Sequence, residues 1–586
     1  MKMTGAKIIT TLLEKHGIKI VAGIPGGSIL PLYDELSKSS IKHILVRQEQ
    51  AAGFIAQGMA RTTGKPAVCM ATSGPGAMNL LTAIADARCD SIPIIAITGQ
   101  VNTSLIGTDA FQEADTFGLS FPISKHSIAV KDAKELIYAI PKAFKIAMEG
   151  RPGPVLIDVP RDVQLQEVEI EDVFEGMKKN ENQKVRFESS KQEIEQKMNE
   201  IISLLSNAQK PVLYIGGGCN SPEGQKCIRQ FKDLYRLPVV TSLMALGVVP
   251  FYDRDNAGMV GMHGSYAANF AMYESDLVFA LGVRFDDRAT GVVQKFCPLA
   301  KIIHIDIDAA EINKILSASV SIVSKVEEVL PAVTKALKEN FTKQEIPFKK
   351  EREIWAETIF KTKEKNFSFE CGAPKIEEKR QGFSDSINPR SFLSQIPSLA
   401  KEVGVSESDM ILTTDVGQHQ MFTAQYYPFT EARTFLTSAS LGTMGFGLPA
   451  AIGAALANDK KRIVCISGDG SILMNIQELA TLSENNLAVT VILFVNKTLG
   501  MVYQQQKFLF QKNYSASTFS LNPDFLKIAE GFGIEGTDAN TDKDWYKKAF
   551  DSKRKNKPYF VTVQIDPEEN VLPFVPGGKA NVESIR

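Results

Sequence analysis

An aspartate between two glycines, and an asparagine downstream of it, carry the sharpest chemical signal in the chain. Asp469 stands in SGDGS (467–471), directly after the apolar run RIVCIS (462–467). Glycine on each side lets a ligand approach the backbone closely. The segment ILMNIQELATLSENN that follows reads as a helix starting at once, whose N-terminal N–H groups favour an anion. Asn496 ends the next apolar run, 27 residues after Asp469. A carboxylate and an amide oxygen at neighbouring strand ends suit a hard cation such as Mg²⁺, with backbone, water and phosphate oxygens in the remaining positions. Together they outline a magnesium–diphosphate site. The same spacing also fits a solvent-facing aspartate in a tight turn and an asparagine capping a helix.

The elements that must position these residues repeat along the chain. Short apolar runs alternate with helical patterns: HILV (43–46), AVCMA (67–71), IPIIAIT (92–98), PVLIDV (154–159), PVLYIG (211–216), DLVFALG (276–282), KIIHIDI (301–307), MILTTD (410–415), RIVCIS, VTVILFV (489–495) and YFVTVQI (559–565). They are continuously apolar, as strands covered on both faces should be. Strands alternating with helices imply βαβ units and parallel sheets. A polar stretch at 166–195 and a Lys/Glu-dense stretch at 340–388, read as a solvated linker with some helix, divide the series. The expected fold is therefore α/β, with three doubly wound parallel-sheet domains at about 1–165, 190–335 and 385–565.

In such sheets ligands bind beyond the carboxyl ends of the strands. Small and polar residues collect there in all three domains. The first has Glu49, TSGPGAMN (72–79) and TGQ (98–100). The second has GGG (216–218), GVRFDD (282–287) and DID (306–308). The third has TDVGQHQ (414–420), SGDGS and VNK (495–497).

Composition narrows the function classes. The 586 residues hold 66 Lys+Arg against 67 Asp+Glu, a net charge of −1. That balance gives no reason to expect nucleic acid or an anionic membrane as a partner. Seven cysteines without a C-x-x-C argue against a disulfide framework or structural zinc and suit reduced thiols in a cytoplasmic protein. No apolar run approaches the ~20 residues that span a bilayer. The N-terminus, MKMTGAKIITTLLEKHG, reads as a capped amphipathic helix rather than a targeting peptide.

The GDG with its downstream asparagine resembles the thiamine diphosphate (ThDP) fingerprint. Longer segments extend the resemblance over nearly the whole chain: VAGIPGGSILPLYDEL, AAGFIAQGMARTTGKPAVCMATSGPGAMN, GTDAFQEADTFGLSFPISKHS, RPGPVLIDVPRDVQ, GMHGSYAANFAM, GVRFDDR, TTDVGQHQM and LGTMGFGLPAAIGAALA are similar to the catalytic subunit of the acetohydroxyacid synthase (acetolactate synthase) family. The resemblance implies three cofactors: ThDP, Mg²⁺ and FAD. It assigns Glu49 to the aminopyrimidine ring of ThDP, Met444 to an apolar wedge that bends the cofactor, and the backbone of Gly442 to its amine. Pro75, Asn79, Val416, Gly417, Gln418, His419, Gly470 and Ser471 become further ThDP contacts. Asp469, Asn496 and the backbone oxygen of Thr498 become metal ligands. Gly26, Phe111, Gln112, Lys125, Met501 and Gln505 become substrate-site residues, with Lys125 the expected partner of a 2-ketoacid carboxylate. Arg151, the stretch Gly261–Gly282 with Met262, His263 and Gly264, then Arg284, Asp286, His304, Asp306 and Asp308 become FAD contacts.

The activity implied is transfer of a two-carbon unit. Pyruvate is decarboxylated and joined to a second 2-ketoacid, giving 2-acetolactate from pyruvate or 2-aceto-2-hydroxybutyrate from 2-ketobutyrate, on the route to valine, leucine and isoleucine. No net redox accompanies it, so the flavin would be structural. The implied assembly is a homodimer or homotetramer, usually joined by a small regulatory subunit, in which the Glu-bearing domain of one subunit faces the GDG-bearing domain of another. Three positions depart from the family pattern: Val495 stands before Asn496, Gln48 before Glu49, and Gln505 where most members have tryptophan in the acceptor pocket. The last weakens any preference for 2-ketobutyrate. The intact MHG and RFDDR motifs speak against a FAD-free catabolic enzyme. TDAFQEAD and QQQ speak against a pyruvate oxidase, Glu49 against a glyoxylate carboligase, and retained Glu49, Asp469 and Asn496 against a non-catalytic paralogue.

Overall fold

The computed structural model describes residues 2–181, 189–343, 347–371, 385–551 and 557–586. Every apolar run singled out above forms a strand, and three six-stranded, wholly parallel sheets result. The strand Val489–Val495 shows why: its residues up to Phe494 are buried, so both sheet faces are covered by helices.

The first sheet runs Lys42–Leu45, Ile20–Gly23, Ala67–Ala71, Ile94–Gln100, Val155–Pro160, His126–Ala129. The third runs Phe435–Leu436, Met410–Thr414, Arg462–Gly468, Val489–Val495, Tyr559–Gln564, Glu535–Asp538. Counted within each domain, both have the order 2-1-3-4-6-5. Their switch points, where chain connections leave in opposite directions, lie between the first and third strands. There the loop after Thr414 faces Gly468–Asp469–Gly470. The middle sheet runs Asn256–Met259, Val239–Thr241, Pro211–Ile215, Leu277–Leu281, Lys301–Asp306, Val320–Val323, the order 3-2-1-4-5-6 of dinucleotide-binding folds.

The two like domains pack on each other through equivalent helices, Glu49–Thr63 and Gly447–Ala457, each following the second strand of its sheet. One apolar cluster runs continuously from Ile55 and Met59 through Ala451 and Ile452 to Leu482 and Val491.

Several segments extend the units past the expected limits. Glu167–Glu169 pairs antiparallel with Lys2–Thr4, and the helix that follows Thr4 is capped by its hydroxyl, which accepts from Lys7 N at 3.2 Å. The Lys/Glu-dense stretch is in part the helix Lys349–Cys371. It is docked on the middle domain rather than solvated throughout: Trp355 is buried and donates to the Pro211 carbonyl at 3.2 Å. Residues 344–346 and 372–384 of that stretch, and 182–188 of 166–195, lie outside the described residues. The C-terminal tail returns to the middle domain, where Val575 N donates to the Met262 carbonyl at 2.9 Å and Asn581 Nδ2 to Ala289 O at 2.8 Å. Among the described residues, no helix is long and apolar enough to cross a membrane.

Candidate active site

Asp469 ends its strand fully enclosed. Its Oδ2 accepts from Asn496 N at 3.1 Å, Lys497 N at 2.7 Å and Asn522 Nδ2 at 2.9 Å. Burial pushes its carboxyl above the ordinary range, the direction a bound cation would reverse. Asn496 Oδ1 accepts from Thr498 N at 3.1 Å. The expected helix directly after Gly470 does not form. A short 3₁₀ turn, Ile472–Met474, is followed by α-helix only at Glu478–Glu484. The break is at Asn475, whose Nδ2 donates to Gly445 O at 2.8 Å and Gln50 Oε1 at 3.2 Å; those bonds take priority over helix continuation. An anion here would therefore meet the Gly468–Ser471 loop rather than a helix end.

The opposing loop is fixed by Asp415, which the sequence argument did not single out. Its Oδ1 accepts from Val416 N at 2.9 Å and Gly445 N at 2.8 Å, joining the Val416–His419 segment to the Gly442–Met444 turn. Burial lifts the Asp415 carboxyl to about 6. Gln418 is braced on three sides, donating to Gln504 Oε1 at 3.0 Å and Glu569 O at 2.9 Å and accepting from Asn496 Nδ2 at 3.4 Å.

These residues converge on one cavity of about 1160 Å³. Val416, Gly417, Gln418, His419, Gly442 and Met444 line it, as do Asp469, Gly470, Ser471, Asn496 and Thr498. Met501 and Gln505, one helical turn apart on Gly500–Leu509, complete this end. The volume exceeds the ~300–1,000 Å³ of a single small-molecule pocket, because the cavity continues into the middle domain. Met262, His263, Gly282, Arg284, Asp286 and Asp306 line that branch, with Arg151 from the first domain.

In that branch Arg151 ion-pairs with Asp308 at 3.3 Å and Glu311 at 2.9 Å. Burial lifts Asp306 to about 6 and presses the His263 imidazole down to about 4. Asp286 caps the short helix Asp287–Thr290, and His304 Nε2 meets Val283 O at 3.1 Å in the core behind the cavity wall. Gly261, Gly264, His304 and Asp308 do not line the cavity. Gly261 is required by a positive φ of 114° and by the Arg288 carbonyl, 2.3 Å from where a Cβ would stand.

The residues expected from the first domain gather elsewhere. Glu49 opens its helix, half-buried, and its Oε2 accepts from Asn79 Nδ2 at 2.9 Å. A Cβ on Gly76 would lie 3.4 Å from Glu49 Oε1 and 2.8 Å from Thr72, and one on Gly26 2.6 Å from the same Thr72. Gln112, at φ 59°, crosses Gly74 beside Pro75. Glu49, Gly26, Pro75, Asn79, Phe111 and Gln112 thus form a second cluster at the surface, outside the cavity. Phe111 is 88% exposed, and Met78, which precedes Asn79, and Phe121, ten residues after Phe111, are exposed too. Lys125 belongs to neither: its Nζ donates to the carbonyls of Ile146 and Glu149, and burial lowers it to about 8.

Matches to known proteins follow this division. Residues 3–119 match the thiamine pyrophosphate enzyme N-terminal TPP binding domain, 198–333 the central domain and 415–563 the C-terminal TPP binding domain. The chain is 47% identical to the acetolactate synthase isozyme 1 large subunit of Escherichia coli, over all of this chain and 98% of that one. It is 42% identical to the isozyme 2 large subunit of the same organism, over 100% and 99%. It is also 42% identical to a probable acetolactate synthase large subunit of Methanocaldococcus jannaschii, over 98% and 94%. The chain belongs to the acetolactate synthase large-subunit family.

The cavity of this acetolactate synthase family member fits a thiamine diphosphate. His419 Nε2 and Thr498 Oγ1 are buried in its wall without hydrogen-bond partners among the described residues, which is costly unless a ligand supplies them. Among the described residues no cluster of three or more His, Cys, Asp or Glu is placed to hold a metal. A cation here would therefore rest on Asp469, the Asn496 amide, backbone oxygen and phosphate. The middle branch fits a dinucleotide by its sheet order and by His263 Nδ1, also buried without a partner. Asn522 and Asp415 escape sequence reasoning: Asn522 lies 53 residues from the carboxylate it holds, and only the fold brings it there.

Proposed function

We propose that this chain decarboxylates pyruvate and joins the two-carbon unit to a second 2-ketoacid, yielding 2-acetolactate or 2-aceto-2-hydroxybutyrate for branched-chain amino-acid synthesis. The observation that carries the proposal is the split of the site. The cavity gathers the diphosphate and metal residues with Met444, while the Glu49 cluster waits at an exposed, apolar surface. Two chains would complete it, the first domain of one covering the third domain of the other. The assembly is then a homodimer or a dimer of dimers, with a small regulatory subunit as an added partner and the cytoplasm as its compartment.

Bound ThDP supplies a carbon nucleophile that also stores an electron pair. The protein holds it by its ends. Asp469, Asn496 and the Thr498 carbonyl would hold Mg²⁺ against the diphosphate, with His419 and the Gly470–Ser471 backbone as further donors. Met444, unbranched and polarisable, would fill the bend between the rings. At the pyrimidine end Glu49 would move a proton at a ring nitrogen. Asn79 fixes one carboxylate oxygen, and the absence of a side chain at Gly76 leaves space beside the other. Met501 and Gln505 would shape the acceptor pocket, with Phe111 and Gln112 closing it from the partner. Lys125 would need to leave its two carbonyls to meet a substrate carboxylate. FAD would occupy the middle branch beside Arg151, Arg284, Asp286 and Asp306, binding without being reduced.

The test is pyruvate turnover with ThDP, Mg²⁺ and FAD supplied singly and together. Acetolactate should accumulate with all three and fail without ThDP. Its absence from the fully supplied protein would overturn the proposal.

A further inference from the structure

Two carboxylates and one arginine are buried where the first and third domains meet; Arg61 and Asp90 stand in the cavity wall and Asp86 behind it, outside every role described so far. Asp86 and Asp90 lie one turn apart at the end of helix Pro75–Cys89, and both side chains are wholly enclosed. Arg61, from the last turn of the Glu49 helix, reaches Asp90 Oδ2 at 2.9 Å and Asp86 Oδ2 at 3.5 Å and stands 5.0 Å over the Phe446 ring. One guanidinium serves two carboxylates, so the remaining acceptor capacity must be met elsewhere.

One segment of the third domain meets it for both Asp90 oxygens and for Asp86 Oδ1, while Asp86 Oδ2 keeps only its ion pair with Arg61. Asp90 Oδ2 accepts from Ala439 N and Oδ1 from Ser440 N, both at 2.9 Å, so each oxygen grips one of two successive N–H groups. Asp86 Oδ1 accepts from the Ser438 hydroxyl and from Thr443 Oγ1 at 3.1 Å, and Ser438 Oγ accepts from Thr443 N at 2.8 Å. Arg284 of the middle domain donates to Ser440 Oγ and, at 3.0 Å, to the Cys89 carbonyl. The segment so held ends at Gly442 and Met444.

We propose that Asp86 and Asp90, with Arg61 between them, are positioning residues. They set the conformation of Ser438–Thr443 and thereby place Gly442 and Met444 for the cofactor. A buried ion cluster adds little net stability over apolar packing and is better suited to fixing one geometry. Directional donors and acceptors here converge on a turn that apolar contacts alone would leave free to shift. The two carboxylates act differently. Asp90 needs both oxygens as acceptors, and against the burial that would raise it, Arg61 and the Ala439 and Ser440 N–H groups hold it below the ordinary range. Asp86 uses one oxygen toward the segment, and burial and the neighbouring Asp90 charge push it up.

The inference rests on the reading that Met444 touches ThDP, and the experiment separates the two. ThDP binding to the FAD-loaded protein is measured by calorimetry in Mg²⁺. Asp90→Asn puts an amide N–H against a backbone N–H and should weaken ThDP about tenfold or more, the scale of a lost charge-assisted hydrogen bond. Asp86→Ala should do the same, whereas Asp86→Asn keeps an acceptor oxygen and should restore binding to within about threefold. Thr443→Val, a milder change at a half-buried position, should weaken ThDP a few-fold and covers the case in which an aspartate variant fails to fold. Met444→Ala is the control: unchanged ThDP affinity there sinks the reading beneath the inference. Weakened binding in Met444→Ala, with wild-type affinity in folded Asp90→Asn and Thr443→Val, overturns the inference itself.

Discussion

Gly58 and Ala450 meet backbone to backbone: a Cβ on Gly58 would lie 2.2 Å from the Ala450 carbonyl oxygen. The reciprocal contact repeats it, since a Cβ on Gly453 would lie 2.0 Å from Ile55 O. The two equivalent helices therefore cross at van der Waals distance of their main chains. Gly58→Ala and Gly453→Ala should each cost about 1–3 kcal/mol through overpacking, read as a lower denaturant midpoint. Variants as stable as the wild type would contradict so close a crossing.

The depth of the fold visible in the sequence follows from burial. Central strands such as Val489–Val495 are long and apolar throughout and stand out. Phe435–Leu436 and Glu535–Asp538 are short edge strands with ordinary composition, and neighbours rather than their own residues make them strands. Asp469 and Asn496 were legible because both close central strands of one sheet. The interrupted helix after Gly470 was not, because Asn475 is recruited by Gly445, a contact between loops 30 residues apart. Nor could spacing reveal that Glu49 and Met444 stand in separate clusters of one chain.

Asp469→Ala should weaken Mg²⁺ and ThDP together, because each completes the other's site. Asn522→Ala removes one of three donors to Asp469 Oδ2 and should weaken both by a smaller factor, roughly several-fold for one hydrogen bond. Titration of each ligand in the presence of the other checks this. Normal ThDP affinity with intact metal dependence in Asp469→Ala would place the metal elsewhere.

Acid should act partly through His419. Burial presses its imidazole down to about 3, against an unfolded value of about 6.5. The unfolded chain therefore binds the extra proton first, and the stability tied to a neutral His419 is complete above pH ~6.5 and lost as pH falls toward 3. His419→Gln has nothing to protonate there and should lose less stability than the wild type between about pH 7 and 4. Thermal melts over that range compare them; parallel losses would mean His419 is charged in the fold.

Gln505 should leave the acceptor pocket permissive. Ketoacids differing by one methylene are separated by only ~1–3 kcal/mol even in a good apolar pocket, and an amide offers less apolar area than an indole. Nearly equal partitioning between pyruvate and 2-ketobutyrate is expected, shifting toward 2-ketobutyrate in Gln505→Trp. Competition at equal acceptor concentrations quantifies both products. A strong 2-ketobutyrate preference in the unaltered protein would move the discrimination to Met501 or Phe111.

The most direct measurement of a site shared between chains is complementation. Glu49→Gln alone should lower turnover by about 10²-fold or more, the scale of a lost acid–base group, and Asp469→Ala should be inactive at ordinary cofactor concentrations. Mixed dimers of the two carry one intact site, Glu49 from one chain facing Asp469 of the other. Random pairing should then restore roughly a quarter of wild-type acetolactate formation, as expected for a two-fold dimer. Activity no greater than that of the separate variants, with mixed dimers shown to be present, would contradict the shared site.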